Sequence, residues 1–207
     1  MYAPEPFAVT DAGEIETLLP GLTFGALITH GQGGLFASHL PVIYRACEGV
    51  LAGHLARANP HRDRAGEGEA MMIFEGASAY VSPNGYPSKL ENGRVVPTWN
   101  YEVVHVYGKI RWRDETDWLL ANVTDLTNRF EAGQPKPWAV SDAPGDFIDR
   151  LLRAVVGVEL RVDRVEAKRK LSQNRSEADR LGVIATLAAS PSDRDREMAG
   201  VMRLGQG

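Results

Sequence analysis

Three features of this 207-residue sequence predict an α+β fold, mainly β in its first half. Extended segments joined by short glycine turns fill the first half, the apolar period changes to that of a helix after Asp114, and the tail carries helix-start signals. Many strands in a meander, without regular strand–helix alternation, indicate a barrel or sandwich rather than a doubly wound sheet.

The elements follow in order. Asp11 precedes a short helix ending near Pro20, with Ile15, Leu18 and Leu19 on its buried side. Leu22 to His30 and Leu35 to Tyr44 read as strands around the turn Gly31-Gln32-Gly33-Gly34, and Val50 to Leu55 as a third after Glu48-Gly49. Ala70 to Glu75 and Ala77 to Val81 are extended, and Val95 to Arg113 is a long strand with Pro97 and Gly108 as candidate bends. Trp118, Leu119, Val123, Leu126 and Phe130 then recur at helical spacing, predicting a helix over 114–131. Pro144 to Ala154 reads as another helix and Val155 to Val165 as a returning strand. Asn174 with Glu177 fits a capping box, and Ser190-Pro191 fits an N-cap followed by proline at the first helical position.

With 43% hydrophobic and 24% charged residues the chain can bury a core, and a net charge of −4 gives no global attraction to nucleic acid. The lone Cys47 forms no internal disulfide and reads as an inert, buried, small hydrophobe. The N-terminus lacks the basic and apolar regions of a signal peptide, and no apolar run reaches the roughly 20 residues that span a bilayer. A cytoplasmic protein with no membrane partner is expected.

Common enzyme signatures are absent. The glycine turn at 31–34 leads into a strand, so no helix N-terminus is there to receive a phosphate. Gly76-Ala77-Ser78-Ala79-Tyr80 lacks the final glycine of a nucleophile elbow. The five histidines show no metal-ligand spacing, so no metal site and no catalytic residue is assigned. Polar chemistry clusters elsewhere. Donors gather in Ala37-Ser38-His39-Leu40-Pro41 and in the run from Gly53-His54 to Asn59-Pro60-His61-Arg62, which suits an anion. The proline-braced loop from Tyr80 to Lys89 reads either as a ligand rim or as a tight connector. Val96-Pro97-Thr98-Trp99-Asn100-Tyr101 reads as the wall of a binding site, because Trp and Tyr suit a boundary between dry and polar surroundings.

Taken in order, Ser38-His39-Leu40-Pro41, Gly53 to His61, Tyr80-Val81-Ser82-Pro83, Val96 to Tyr101 with His105 to Gly108, and Lys170-Leu171-Ser172-Gln173-Asn174-Arg175 closely resemble the PaiB-like family of FMN-binding negative transcriptional regulators. The resemblance is collinear over almost the whole chain. It implies a pyridoxamine-phosphate-oxidase-type FMN-binding split β-barrel, one domain over 1–207 with 171–207 as a helical C-terminal extension, and a homodimer with flavin sites at its interface. In that frame His54, Arg57, Asn59, His61 and Arg62, with the Ser38 hydroxyl, are assigned to the FMN phosphate. Ser82, Thr98, Trp99, Asn100 and the backbone around His39 to Pro41 are assigned to the isoalloxazine, and Lys170, Gln173 and Arg175 to the cofactor or a substrate across the dimer. Two positions depart from the family pattern: Gly85 and Arg62 stand where an aromatic residue is usual.

Direct DNA contact would fall on the basic tract from Arg161 to Arg180, but Asp163, Glu166, Glu177 and Asp179 dilute its field, and no helix-turn-helix is evident. Three functions stay open: an FMN-binding regulator or sensor, a flavin-dependent oxidoreductase acting on a small molecule, and a haem-binding or haem-degrading protein.

Overall fold

The computed structural model describes residues 1–205. Its strands are β1 (Ala8–Val9), β2 (Phe24–Gly31), β3 (Gly34–Arg45), β4 (Val50–Ala56), β5 (Ala70–Val81), β6 (Thr98–Arg113) and β7 (Val155–Lys170). Its α-helices are α1 (Ala12–Leu18), α2 (His61–Arg64), α3 (Lys89–Asn92), α4 (Thr116–Glu131), α5 (Gly145–Arg153), α6 (Glu177–Ala188) and α7 (Asp193–Leu204). The sheet runs β1-β7-β4-β3-β2-β5-β6, and β6 also pairs with β7, so six strands close into a ring with β1 added to β7. The registers of β1 with β7, β2 with β3 and β5, and β4 with β3 and β7 are antiparallel. This is the expected α+β architecture of a strand ring followed by C-terminal helices.

The chain forms two compact units. The first comprises Met1–Asp11, Glu75–Val104 and the chain from Glu166 onward; the second comprises Ala12–Phe74 and His105–Val165. In the second unit a period of two places Leu27 and Thr29 of β2, and Ser38, Leu40 and Val42 of β3, in the interior. Gly34, at φ +88°, lets β3 leave the turn through the left-handed region closed to most side chains. Helix α4 buries Leu119, Asn122 and Leu126, three residues of one helical face. Just before them Trp118 lies against Gly157 of β7, where an added Cβ would come within 2.3 Å of the indole, and Arg45 and Arg113 stack on that indole at 5.2 and 5.4 Å.

In the first unit, α6 and α7 bury Val183, Ile184, Leu187, Met198 and Met202 with Ala77, Ala79 and Val81 of β5 and with Tyr86. The loop after β5 touches α6 closely enough that a Cβ on Gly182 would meet the Gly85 carbonyl oxygen at 2.3 Å.

Several local expectations are corrected. Ala70 to Val81 is one strand through Gly76, and β6 starts after Pro97. Strand β7 runs on from Val165 to Lys170, because Ala167 and Lys168 are buried and Ala8 and Val9 of β1 pair with this extension. The cap of α6 is Ser176, whose hydroxyl accepts from the Asp179 N–H at 3.2 Å, rather than Asn174. Helix α7 begins after Ser192, while Ser190 accepts from the Ser192 N–H and donates to Asp195. Cys47 lies exposed in the turn before β4. Positions 206 and 207 of the expected helical extension lie outside the described residues.

Candidate functional site

The assigned site residues divide between the two units. In the second unit, Ser38 points inward from β3, and Asn59 lies in the turn after β4. The Asn59 carboxamide oxygen accepts the His61 N–H at 2.9 Å, starting α2, while its nitrogen donates to Ser38 Oγ at 3.1 Å. His61 is fully buried, with Nδ1 2.8 Å from Ser38 Oγ and Nε2 3.0 Å from Thr29 Oγ1. Burial holds its pKa below the ordinary histidine range, so the ring is neutral near pH 7. A ring accepting at Nδ1 from Ser38 and donating at Nε2 to Thr29 satisfies the whole chain of groups. The Phe36 edge and Trp112 flank it at centroid distances of 5.0 and 6.0 Å. Ser38, Asn59 and His61 thus spend their hydrogen bonds on one another and on Thr29.

The two arginines face a carboxylate. Arg57 donates to the Arg153 carbonyl at 3.0 Å, to the Val155 carbonyl at 2.7 Å and to Asp114 at 2.6 Å, and Arg62 reaches Asp114 at 2.8 Å. The Arg57 hydrogen bond above all, and Arg62 after it, hold the Asp114 carboxyl below the usual carboxylate range. Arg62, a departure from the family pattern, therefore adds a second cation to an exposed Arg–Asp–Arg group. His54 faces α4, its Nδ1 3.3 Å from Asn122 Nδ2, and burial lowers its pKa. His39 is exposed and stacks on Phe24 at 6.3 Å, while Pro41 pairs with Phe24 in the β2–β3 register.

In the first unit, Trp99 is 56% exposed and meets the edge of Tyr80 at 6.2 Å. The indole lines a groove of about 320 Å³ with Ser78, Tyr101 and Val103. Ser82 caps the turn after β5 by accepting from the Asn84 N–H, and with Tyr80 it lines a second groove, of about 330 Å³, against α6. Thr98 accepts from Lys170, whose ammonium also reaches the Trp99 carbonyl at 2.6 Å. Asn100 is fully buried and donates to Ser172 at 3.0 Å and to Met202 Sδ at 3.4 Å, so it braces α7 and presents no group to solvent. Gln173 closes a local turn through the Leu171 N–H and the Arg169 carbonyl. Arg175 stacks on Tyr86 at 5.1 Å. Gly85 is buried, and its Cβ would lie 3.2 Å from Thr186 Oγ1 and 3.4 Å from Val183, so α6 stands where a larger side chain would go.

The basic tract is divided. Arg161 pairs with Asp163, Arg164 with Glu69, and Arg169 with Glu102, while Lys168 donates to the Tyr2 carbonyl and lies over Tyr101. Sequence reading missed Thr29, Asp114 and Asn122 as members of these groups, while Tyr86 lies in the loop read as a ligand rim or a connector. Of the three missed, only Thr29 carried a signal, a hydroxyl on the inward period of β2.

A strand ring followed by C-terminal helices defines a split-barrel fold. Solved structures of this shape include the flavocytochrome Anf3 of Azotobacter vinelandii (TM-score 0.58, 11% identity, 89% of this chain and 76% of that one). The FAD and heme binding protein of Mycobacterium smegmatis is also similar (TM-score 0.56, 14% identity, 84% and 78%). In sequence, residues 1–164 match the family model described as "Putative FMN-binding domain", and the chain belongs to that family. It is 33% identical over 205 residues to the protease synthase and sporulation protein PAI 2 of Bacillus subtilis, covering 98% of this chain and 96% of that one. An uncharacterized protein of Emericella nidulans is 30% identical over 242 residues, with the same coverage. The PaiB-like resemblance read from the motifs therefore holds.

Proposed function

We propose that this chain binds FMN and works as a flavin-linked regulator or sensor of the PaiB type. Membership of the FMN-binding family carries the reading. The exposed Trp99 indole beside Tyr80 suits one face of a flat ring, and when bound the flavin supplies the redox chemistry. The residues assigned to the phosphate fit less directly. Arg57 and Arg62 are cationic and exposed but already share Asp114, and Ser38, Asn59 and His61 satisfy one another. A phosphate at the arginines would compete with, or displace, that carboxylate.

The name of the Bacillus relative ties that protein to protease synthesis and sporulation, which supports a regulatory role here. The divided basic tract gives little support to direct DNA contact; a DNA titration with a salt-dependent affinity would restore it. A homodimer is part of the same reading, and the exposed Phe24 and Leu35 of the β2–β3 hairpin suit burial against a second copy.

The absorption spectrum of the freshly purified protein tests the cofactor directly. A flavin band is expected, and a haem Soret band in its place would move the function to haem chemistry; reduction of bound flavin by a nicotinamide cofactor would make the protein an oxidoreductase. Trp99→Ala and Arg57→Ala should each weaken FMN retention, and unchanged titrations for both would remove the assigned site. A monomer in analytical ultracentrifugation at micromolar concentration would remove the dimer.

A further inference from the structure

We propose that the first unit carries an oxyanion-binding site built from Lys170, Arg175 and Tyr86, which takes a phosphate or carboxylate group. These residues line one cavity with Thr98 and Ser172. At about 150 Å³ the cavity is smaller than the roughly 300–1,000 Å³ that holds a drug-sized ligand, which suits a small anion or the anionic end of a larger one.

Charge and hydrogen bonding both point to a missing acceptor. The half-buried Lys170 ammonium spends two donors on the Thr98 hydroxyl and the Trp99 carbonyl, both neutral. Arg175 rests on the face of Tyr86. Neither cation forms an ion pair among the described residues: the Glu102 carboxylate is taken by Arg169 at 3.0 Å, and that of Asp179 accepts from the Ser88 N–H and hydroxyl at 3.0 and 2.8 Å. Asp179 does feel the field of Arg175, but from beyond contact. Burial first, then Lys168 and Arg175, lower the Lys170 pKa, as expected of a cation that lacks a counter-charge. The Tyr86 hydroxyl is buried with no hydrogen-bond partner, which a native interior seldom tolerates. An oxyanion would accept from both cations and from this phenol at once.

The inference rests on the reading that gives Lys170 and Arg175 to a cofactor or substrate and deepens it by naming the anionic group they take, and its test lets either reading fail alone. Thermal unfolding of the full chain is followed against sodium phosphate and sodium acetate, with chloride at equal ionic strength as reference. At least one of the two anions should stabilise the wild type. Lys170→Met and Arg175→Met should weaken that response about tenfold or more, the effect of losing a charge-assisted hydrogen bond. Lys170→Arg should retain it, and so should Lys136→Met, which removes an equal charge from an exposed loop. Tyr86→Phe should weaken it without lowering the stability of the unliganded protein. No stabilisation by either anion, or an equal response in every variant, would overturn the proposal.

Titration of the same variants with FMN and riboflavin then identifies the source of the anion. Loss of FMN affinity alone assigns the site to the flavin's own phosphate. Unchanged FMN binding with a lost anion response assigns it to a separate ligand. If no flavin binds at all while the anion response persists, only the flavin reading fails.

Discussion

Gly182→Ala is the sharpest test of how the first unit is packed. Gly182 lies inside α6, where alanine is intrinsically favoured by about 0.8–1 kcal/mol. Against that gain, the new Cβ would come within 2.3 Å of the Gly85 carbonyl oxygen and 2.8 Å of Pro87 Cδ. Ordinary contact needs about 3.4 Å, so the loop would have to retreat by about an ångström from a helix it is also tied to through Ser88 and Asp179. Overpacking of this kind costs about 1–3 kcal/mol, so it cancels the gain at least, and a net loss of up to about 2 kcal/mol is expected. For a chain of this length that is a fall in Tm of up to about 8 °C. Gly200 in α7 is the internal control, because an added Cβ there meets nothing within 4 Å. Gly200→Ala should therefore stabilise, by up to about 1 kcal/mol. Urea unfolding at constant m would report both changes as shifts in midpoint. If Gly182→Ala stabilised the protein as Gly200→Ala does, the loop would not rest on α6, and the account of Gly85 would fall with it.

Other outcomes follow from the buried polar groups. His54 and His61 have folded pKa values below the roughly 6.5 of an unfolded histidine, so below that pH the unfolded chain binds more protons; stability should be full above about pH 6.5 and fall as pH drops, and His61→Gln should flatten the decline measured by urea titration at several pH values. Asp179→Ala leaves the Ser88 N–H and hydroxyl without their acceptor in a half-buried position and should cost about 1–3 kcal/mol, read by the same titration. Asp114→Asn removes the negative charge between Arg57 and Arg62; if those arginines hold the FMN phosphate, flavin titration should show tighter FMN binding with riboflavin unchanged, and equal FMN affinity would refute that role.

The elements legible in the sequence were those whose signal is local. The alternation in β2 and β3, the glycine turn between them and the helical spacing of Trp118 to Phe130 all repeat within a few residues, and the corresponding elements form. What was not legible depends on partners distant in the chain. β7 runs on to Lys170 where β1, some 160 positions away, pairs with its extension. Cys47 reads as apolar, yet the turn before β4 leaves it exposed. Asn100, in a segment that reads as a binding wall, turns inward to Ser172 and Met202 of the C-terminal region. Asp114 reads as a helix start, and only the folded chain brings both arginines onto it.

The two groups of cations show why residue type alone locates an anion site poorly. Arg57 and Arg62 sit in the richest run of donors in the sequence, yet in the fold their charge is largely answered by Asp114 and by two carbonyls. Lys170 and Arg175 sit in a tract that reads as diluted by acids, yet Asp163, Glu166 and Asp179 bond to other groups, and the two cations are left beside an unpartnered phenol. Binding at the first group replaces one anion by another and gains little beyond the difference between carboxylate and phosphate. Binding at the second supplies a charge that is missing, and satisfies a buried hydroxyl as well. For the same phosphate, the larger gain is therefore expected at Lys170 and Arg175. Comparing the FMN affinities of Arg57→Ala and Lys170→Met measures that difference directly: a larger loss in Arg57→Ala would show that Asp114 yields its arginines to the ligand at little cost.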